Sequence, residues 1–98
     1  MYKEPWSDIN EYVESHSKAL QRELFKELSK DHCLYGIELQ ALAKREDQDD
    51  ILLTDQSAFY IVHLTWSGKE EEAPYPRTEK FSTMEELQVR LDSDSEDF

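Results

Sequence analysis

From the N-terminus, Ile9, Val13, His16, Leu20, Leu24 and Leu28 recur at spacings of three and four, the stripe that one buried face of an α-helix requires. Ser7 occupies an N-cap position after Pro5 and Trp6, and Asp8 sits where the helix dipole favours negative charge. With Gly36 as the stop, a long N-terminal helix is expected from Ser7 to near Asp31. Lys18, Arg22, Lys26 and Lys30 step along the helix at i, i+4, mainly away from the apolar face, as a basic outer stripe. After Gly36 the period changes to alternation, which predicts strands over Ile37–Glu46, Asp50–Asp55 and Ala58–Trp66. The turns Asp47-Gln48-Asp49 and Gln56-Ser57 are short, so an antiparallel meander is the economical topology. Alternation puts Ile37, Leu39, Ala41, Ala43, Ile51, Leu53, Tyr60, Val62, Leu64 and Trp66 on the face that the helix covers. Glu38, Gln40, Leu42, Lys44, Asp50, Leu52, Thr54, Phe59, Ile61, His63 and Thr65 fall on the other.

Ser67–Pro76 reads as a loop, because Gly68, Pro74 and Pro76 break a ladder and Glu70, Glu71 and Glu72 repel one another. Arg77–Phe81 allows a short fourth strand. Ser82-Thr83-Met84-Glu85 fits a capping box, and Met84, Leu87 and Leu91 mark the stripe of a short C-terminal helix. Asp92–Phe98 carries four acids in seven residues and is expected to be solvated. The expected fold is therefore α+β: a long N-terminal helix on a three- or four-stranded antiparallel meander, with a short C-terminal helix. Residues 1–91 form one domain and 92–98 a disordered acidic tail. A chain of 98 residues folded this way has a radius of gyration of about 13 Å.

Charge narrows the partners. Eleven basic against 23 acidic residues give a net charge of -12, which repels nucleic acid and anionic membrane surfaces, and neither is expected as a partner. No apolar run approaches the roughly 20 residues of a membrane span. Residues 68–98 hold ten acidic and four basic groups, so the last third is the most acidic. A protein is the expected partner, and a basic one is complementary. The single Cys33 forms no intrachain disulfide, which fits a cytoplasmic protein.

The candidate chemistry is sparse. His16, His32, Cys33 and His63 are zinc-ligand types at spacings that build no zinc site. A calcium loop from Asp47 would need oxygen ligands where Ile51 and Leu53 stand. Ser67-Gly68-Lys69 lacks the glycine and hydroxyl of a phosphate loop. No metal or cofactor is expected. Strand register offers more. If Asp47-Gln48-Asp49 closes the first hairpin and Thr54 pairs with Phe59 in the second, Glu46, Asp50 and His63 form one cross-strand row. A histidine between acids is a general-base arrangement and equally an ordinary charge pair. Phe59 and Ile61 lie on the face that the first helix leaves open, where either the C-terminal helix or a partner packs. With Thr65 and Trp66 they are the candidate binding residues.

The segments His32-Cys33-Leu34-Tyr35-Gly36, Ala41–Asp50 and Val62–Lys69, with Pro76, Thr78 and Phe81, resemble a family of small uncharacterised bacterial proteins over about residues 32–82. The resemblance implies a small bacterial cytosolic protein and no particular activity. Two functional readings stand at this point. The first is a non-enzymatic interaction or regulatory module, of which an immunity-like inhibitor of a basic enzyme is one form. The second is a small hydrolase-type enzyme using His63 with Asp50 or Glu46.

Overall fold

In the computed structural model, which describes residues 2–97, a five-stranded antiparallel sheet carries one helix on each face. The elements in chain order are β1 (Trp6–Asp8), a short 3-10 helix (Ile9–Glu11), α1 (Glu14–Glu27), β2 (Gln40–Arg45), β3 (Asp50–Thr54), β4 (Phe59–His63), β5 (Thr78–Phe81) and α2 (Met84–Asp97). Spatial order follows chain order, so the sheet is the expected meander with a strand added at its first edge. The central strand β3 is buried at every position. Leu20, Leu24 and Leu28 pack with Leu34, Ile51, Leu53, Tyr60, Val62 and Leu64 on one face. Leu87 and Leu91 of α2 pack with Trp6, Ala43, Leu52 and Ile61 on the other. Each of these buried leucines contributes roughly 1.5–3 kcal/mol by leaving water. The radius of gyration is 12.9 Å.

The first helix is shorter than its apolar stripe suggests. Trp6 belongs to the α2-side core and Leu20 to the α1-side core, so the chain must pass around the sheet edge between them. A continuous helix from Ser7 cannot do this. Instead Trp6 pairs with Arg45 and Asp8 with Ala43 as β1, and Asp8 Oδ1 accepts the Asn10 N–H at 2.8 Å to cap the 3-10 helix. Val13, expected on the apolar face, is 71% exposed at the N-cap of α1.

Four further expectations change. A β-bulge between Ala41 and Ala43 breaks the alternation of β2, turning Ala43 into the α2-side core together with Leu42. The sheet pairing of β4 stops at His63, and Thr65 and Trp66 leave it as loop residues. The segment expected as a disordered tail from Asp92 is helical as far as Asp97, because Asp94 is drawn into the body at 8% exposure; Phe98 lies outside the described residues. The capping box also forms one residue later than expected. Thr83 Oγ1 accepts the Glu86 N–H, and Glu86 Oε2 accepts the Ser82 N–H, each at 3.2 Å.

Candidate functional site

The second hairpin has the expected register: Thr54 opposes Phe59, Leu52 opposes Ile61 and Asp50 opposes His63. Asp50 Oδ1 lies 2.7 Å from His63 Nδ1. Glu46 is not in this row. The first hairpin closes with a four-residue turn, 46–49, instead of the expected Asp47-Gln48-Asp49, so Lys44 opposes Ile51 and Glu46 is an exposed turn residue, its N–H donating to the Pro5 carbonyl at 2.7 Å. The third member is Glu79 on β5, whose Oε2 is 2.9 Å from His63 Nε2. Ile61 opposes Glu79, which places Glu79 diagonally from His63 on the same face.

Helix α2 extends the row. Arg90 donates to Glu79 through Nη1 and to Asp94 Oδ1 through Nε at 3.1 Å. Arg45 Nη1 lies 3.4 Å from the same Asp94 oxygen, and the Trp6 indole donates to Asp94 Oδ2 at 2.9 Å. Burial pushes the Asp50 carboxyl above its ordinary range, opposed by His63, Arg45 and Arg90. Arg90 and, secondarily, His63 hold Glu79 below its ordinary range. Asp50 Oδ2 is buried without a hydrogen-bond partner among the described residues. A general base needs a nitrogen lone pair aimed at a substrate, whereas both His63 nitrogens face carboxylate oxygens. As built, the row joins β3, β4, β5 and α2 into one brace.

The expected binding residues separate into two places. Ile61 is fully buried and Phe59 partly so beneath α2, which makes them core. Thr65 and Trp66 are exposed on the segment 64–77, which two carboxyl groups of α1 hold in place. Glu27 Oε2 accepts the Trp66 N–H at 2.8 Å, and the Glu27 carboxyl also accepts the Thr65 N–H at 3.0 Å. Glu23 Oε2 accepts the Gly68 N–H at 3.0 Å, and the Glu71 N–H donates to the Glu27 carbonyl at 2.9 Å. Trp66 and Gly68 adopt left-handed backbone conformations, with φ of 56° and 73°, through this turn. Glu27 is 0% exposed and Glu23, one helical turn before it, is 6% exposed. Burial, with the neighbouring Glu23 carboxyl second, pushes Glu27 up to about 7. The neighbouring Glu27 carboxyl, and after it the Gly68 N–H, hold Glu23 below its ordinary range.

Further along, the segment meets the turn that follows α1. His32 Nε2 lies 2.8 Å from the Pro76 carbonyl, and His32 Nδ1 accepts the Leu34 N–H at 3.0 Å, so the ring carries its proton on Nε2. A cavity of about 520 Å³ opens there, lined by Asp31, His32, Cys33, Ala73, Pro74, Arg77 and Thr78. The exposed Cys33 Sγ is 3.8 Å from His32 Nδ1. His16, the remaining histidine, stacks on Tyr12 with ring centroids 4.7 Å apart. The basic stripe is exposed at Lys18, Arg22, Lys26 and Lys30, beside the exposed Phe25.

Pattern reasoning passed over Glu23 and Glu27, yet their positions carry a signal. They occupy the i+3 and i+7 places of the buried stripe that begins at Leu20, where a carboxylate needs a partner. Asp94 similarly continues the Leu87, Leu91 stripe. No helix among the described residues is long and apolar enough to cross a membrane. Comparison with protein-family models, with curated proteins and with solved structures finds no match.

Proposed function

We propose that this chain is a non-enzymatic interaction module that recognises a basic protein partner through the segment 64–77. The observation that carries this reading is Trp66. Its backbone is pinned to a buried carboxyl group in a left-handed conformation, while 43% of the residue stays exposed. An accessible aromatic residue whose backbone is already ordered costs less entropy on binding, which favours a contact residue. Tyr75 is exposed on the same segment, and Glu70, Glu71 and Glu72 follow Trp66. An aromatic face contributes about 0.5–1 kcal/mol toward a Lys or Arg at an exposed site. Neighbouring carboxylates add charge-assisted hydrogen bonds, and the net charge of -12 speeds encounter with a cation-rich surface. An inhibitor-like protein that covers a basic enzyme surface is one form of this function.

The hydrolase reading has less support, because both His63 nitrogens are committed to Asp50 and Glu79. The interaction reading is tested by titrating the protein with a Lys/Arg-rich peptide and its Glu-rich counterpart while following Trp66 fluorescence. Saturable binding of the basic peptide alone is expected, weakened about tenfold by Trp66→Ala, the size of a modest hot spot. Replacing Glu70, Glu71 and Glu72 with Gln should weaken binding and flatten its salt dependence. Equal binding of both peptides, or none of the basic one, contradicts the proposal.

A further inference from the structure

The two carboxyl groups beneath the segment do more than a neutral tether would require. Glu27 accepts N–H groups from Thr65 and Trp66, Glu23 accepts one from Gly68, and the two side chains lie one helical turn apart, 0% and 6% exposed. Two carboxyl groups buried this close and bound to the same stretch of loop avoid facing like charges by sharing one proton. The groups facing the pair from α1 include Lys26, which acts on Glu23 through space. From the loop they are the three amides, together with Glu71, whose carboxylate accepts the Thr65 hydroxyl at 2.9 Å. Neither Glu23 nor Glu27 has an ion pair among the described residues, so no fixed cation substitutes for the proton. If it leaves, two buried carboxylates stand side by side, and their repulsion is relieved by admitting water between α1 and the loop.

We propose that Glu23 and Glu27 form a shared-proton latch, which holds the segment 64–71 on α1 while the proton is present and loosens it when the proton departs to solvent. The consequence rests on the partner surface proposed above: that surface is firmly presented in mildly acidic to neutral solution and relaxed in alkaline solution. Burial pushes Glu27 up to about 7, which places the transition near neutrality. The direction is set by the same fact. A raised pKa in the folded state means that the fold binds the proton more tightly than the unfolded chain, so deprotonation opposes the latched form.

The latch is tested on the full chain by following backbone amide resonances from pH 5.5 to 8.5. Those of Thr65, Trp66 and Gly68 should move together with one midpoint near 7. In Glu27→Gln, whose amide keeps both a donor for Glu23 and an acceptor for the loop, this transition should vanish. In Glu23→Gln the new amide can donate to an ionised Glu27, and the midpoint should fall toward the ordinary carboxylate range. Amides that do not titrate, or that keep the wild-type transition in Glu27→Gln, overturn the latch. In the wild type the Lys/Arg-rich peptide should bind about fivefold more weakly above the midpoint than below it, with no such step in Glu27→Gln. If the amides titrate as expected and the peptide binds at no pH, the latch stands and the partner surface falls. If the peptide binds equally throughout, the gating falls.

Discussion

Asp94→Ala should destabilise the protein by about 3 kcal/mol, although the residue lies four positions before Phe98 in a segment whose composition reads as solvated. The magnitude follows from what the carboxylate touches. The Trp6 indole N–H, in a residue 2% exposed, would lose its acceptor, at a cost of about 1–3 kcal/mol. Arg90 and Arg45 would each lose a charged partner and retain one, Glu79 and Asp47 respectively. Their combined loss adds about 1 kcal/mol because both keep a charge-assisted bond. The assay is urea unfolding with Glu96→Ala, at an exposed position of the same helix, as control. Asp94→Ala should lower the midpoint with an unchanged m value and reduce Tm by more than about 10 °C. Glu96→Ala should stay within about 0.5 kcal/mol of the wild type. On a Trp6→Phe background the cost of Asp94→Ala should shrink by about 1 kcal/mol, since no indole donor is left to orphan. Equal stability of Asp94→Ala and Glu96→Ala would refute the reasoning.

Two further outcomes follow from the packing and from the brace. Glu79 is depressed below its unfolded value, so its stabilising contribution is present above the ordinary carboxylate pKa of 4.5 and is lost as pH falls through the folded value. The stability gap between wild type and Glu79→Gln should therefore close as the solution is acidified below that range, as measured by urea unfolding across pH; a constant gap would contradict it. Leu24→Ala, within the α1-side core, should cost about 2–5 kcal/mol. The adjacent Phe25→Ala, on the solvent side of α1, should be within about 0.5 kcal/mol of neutral in the same assay.

The parts of this fold that depend on local pattern were legible in the sequence. The tight Gln56-Ser57 turn sets the register of β3 against β4, so the opposition of Asp50 and His63 could be read from the alternation alone. The apolar stripe of α2 likewise accounts for the cover over Phe59 and Ile61. What could not be read depends on long-range contacts. β1 has only three residues, and its strand identity comes from pairing with β2 rather than from any period of its own. The bulge at Ala41 and Ala43 breaks the alternation of β2 with no Gly or Pro to mark it, and a first turn one residue longer than expected takes Glu46 out of the row. Glu79, Arg90 and Asp94 join His63 only after β5 and α2 have docked, and Asp94 gains its helical setting from Trp6, 88 positions away in the chain. Acidic residues at core positions of a helix add nothing to its apolar stripe. In Glu23 and Glu27 they are instead the ties that set the exposed loop in place.

The central proposal, a basic-partner surface on the segment 64–77, is tested most directly by mapping where a Lys/Arg-rich peptide binds. Amide chemical-shift changes on saturation should concentrate on residues 65–77, with the Trp66 indole among the largest. They should leave the amides around His63 and along the Lys18, Arg22 and Lys26 stripe unmoved. Shift changes centred on His63, or spread evenly over every acidic surface residue, would contradict it.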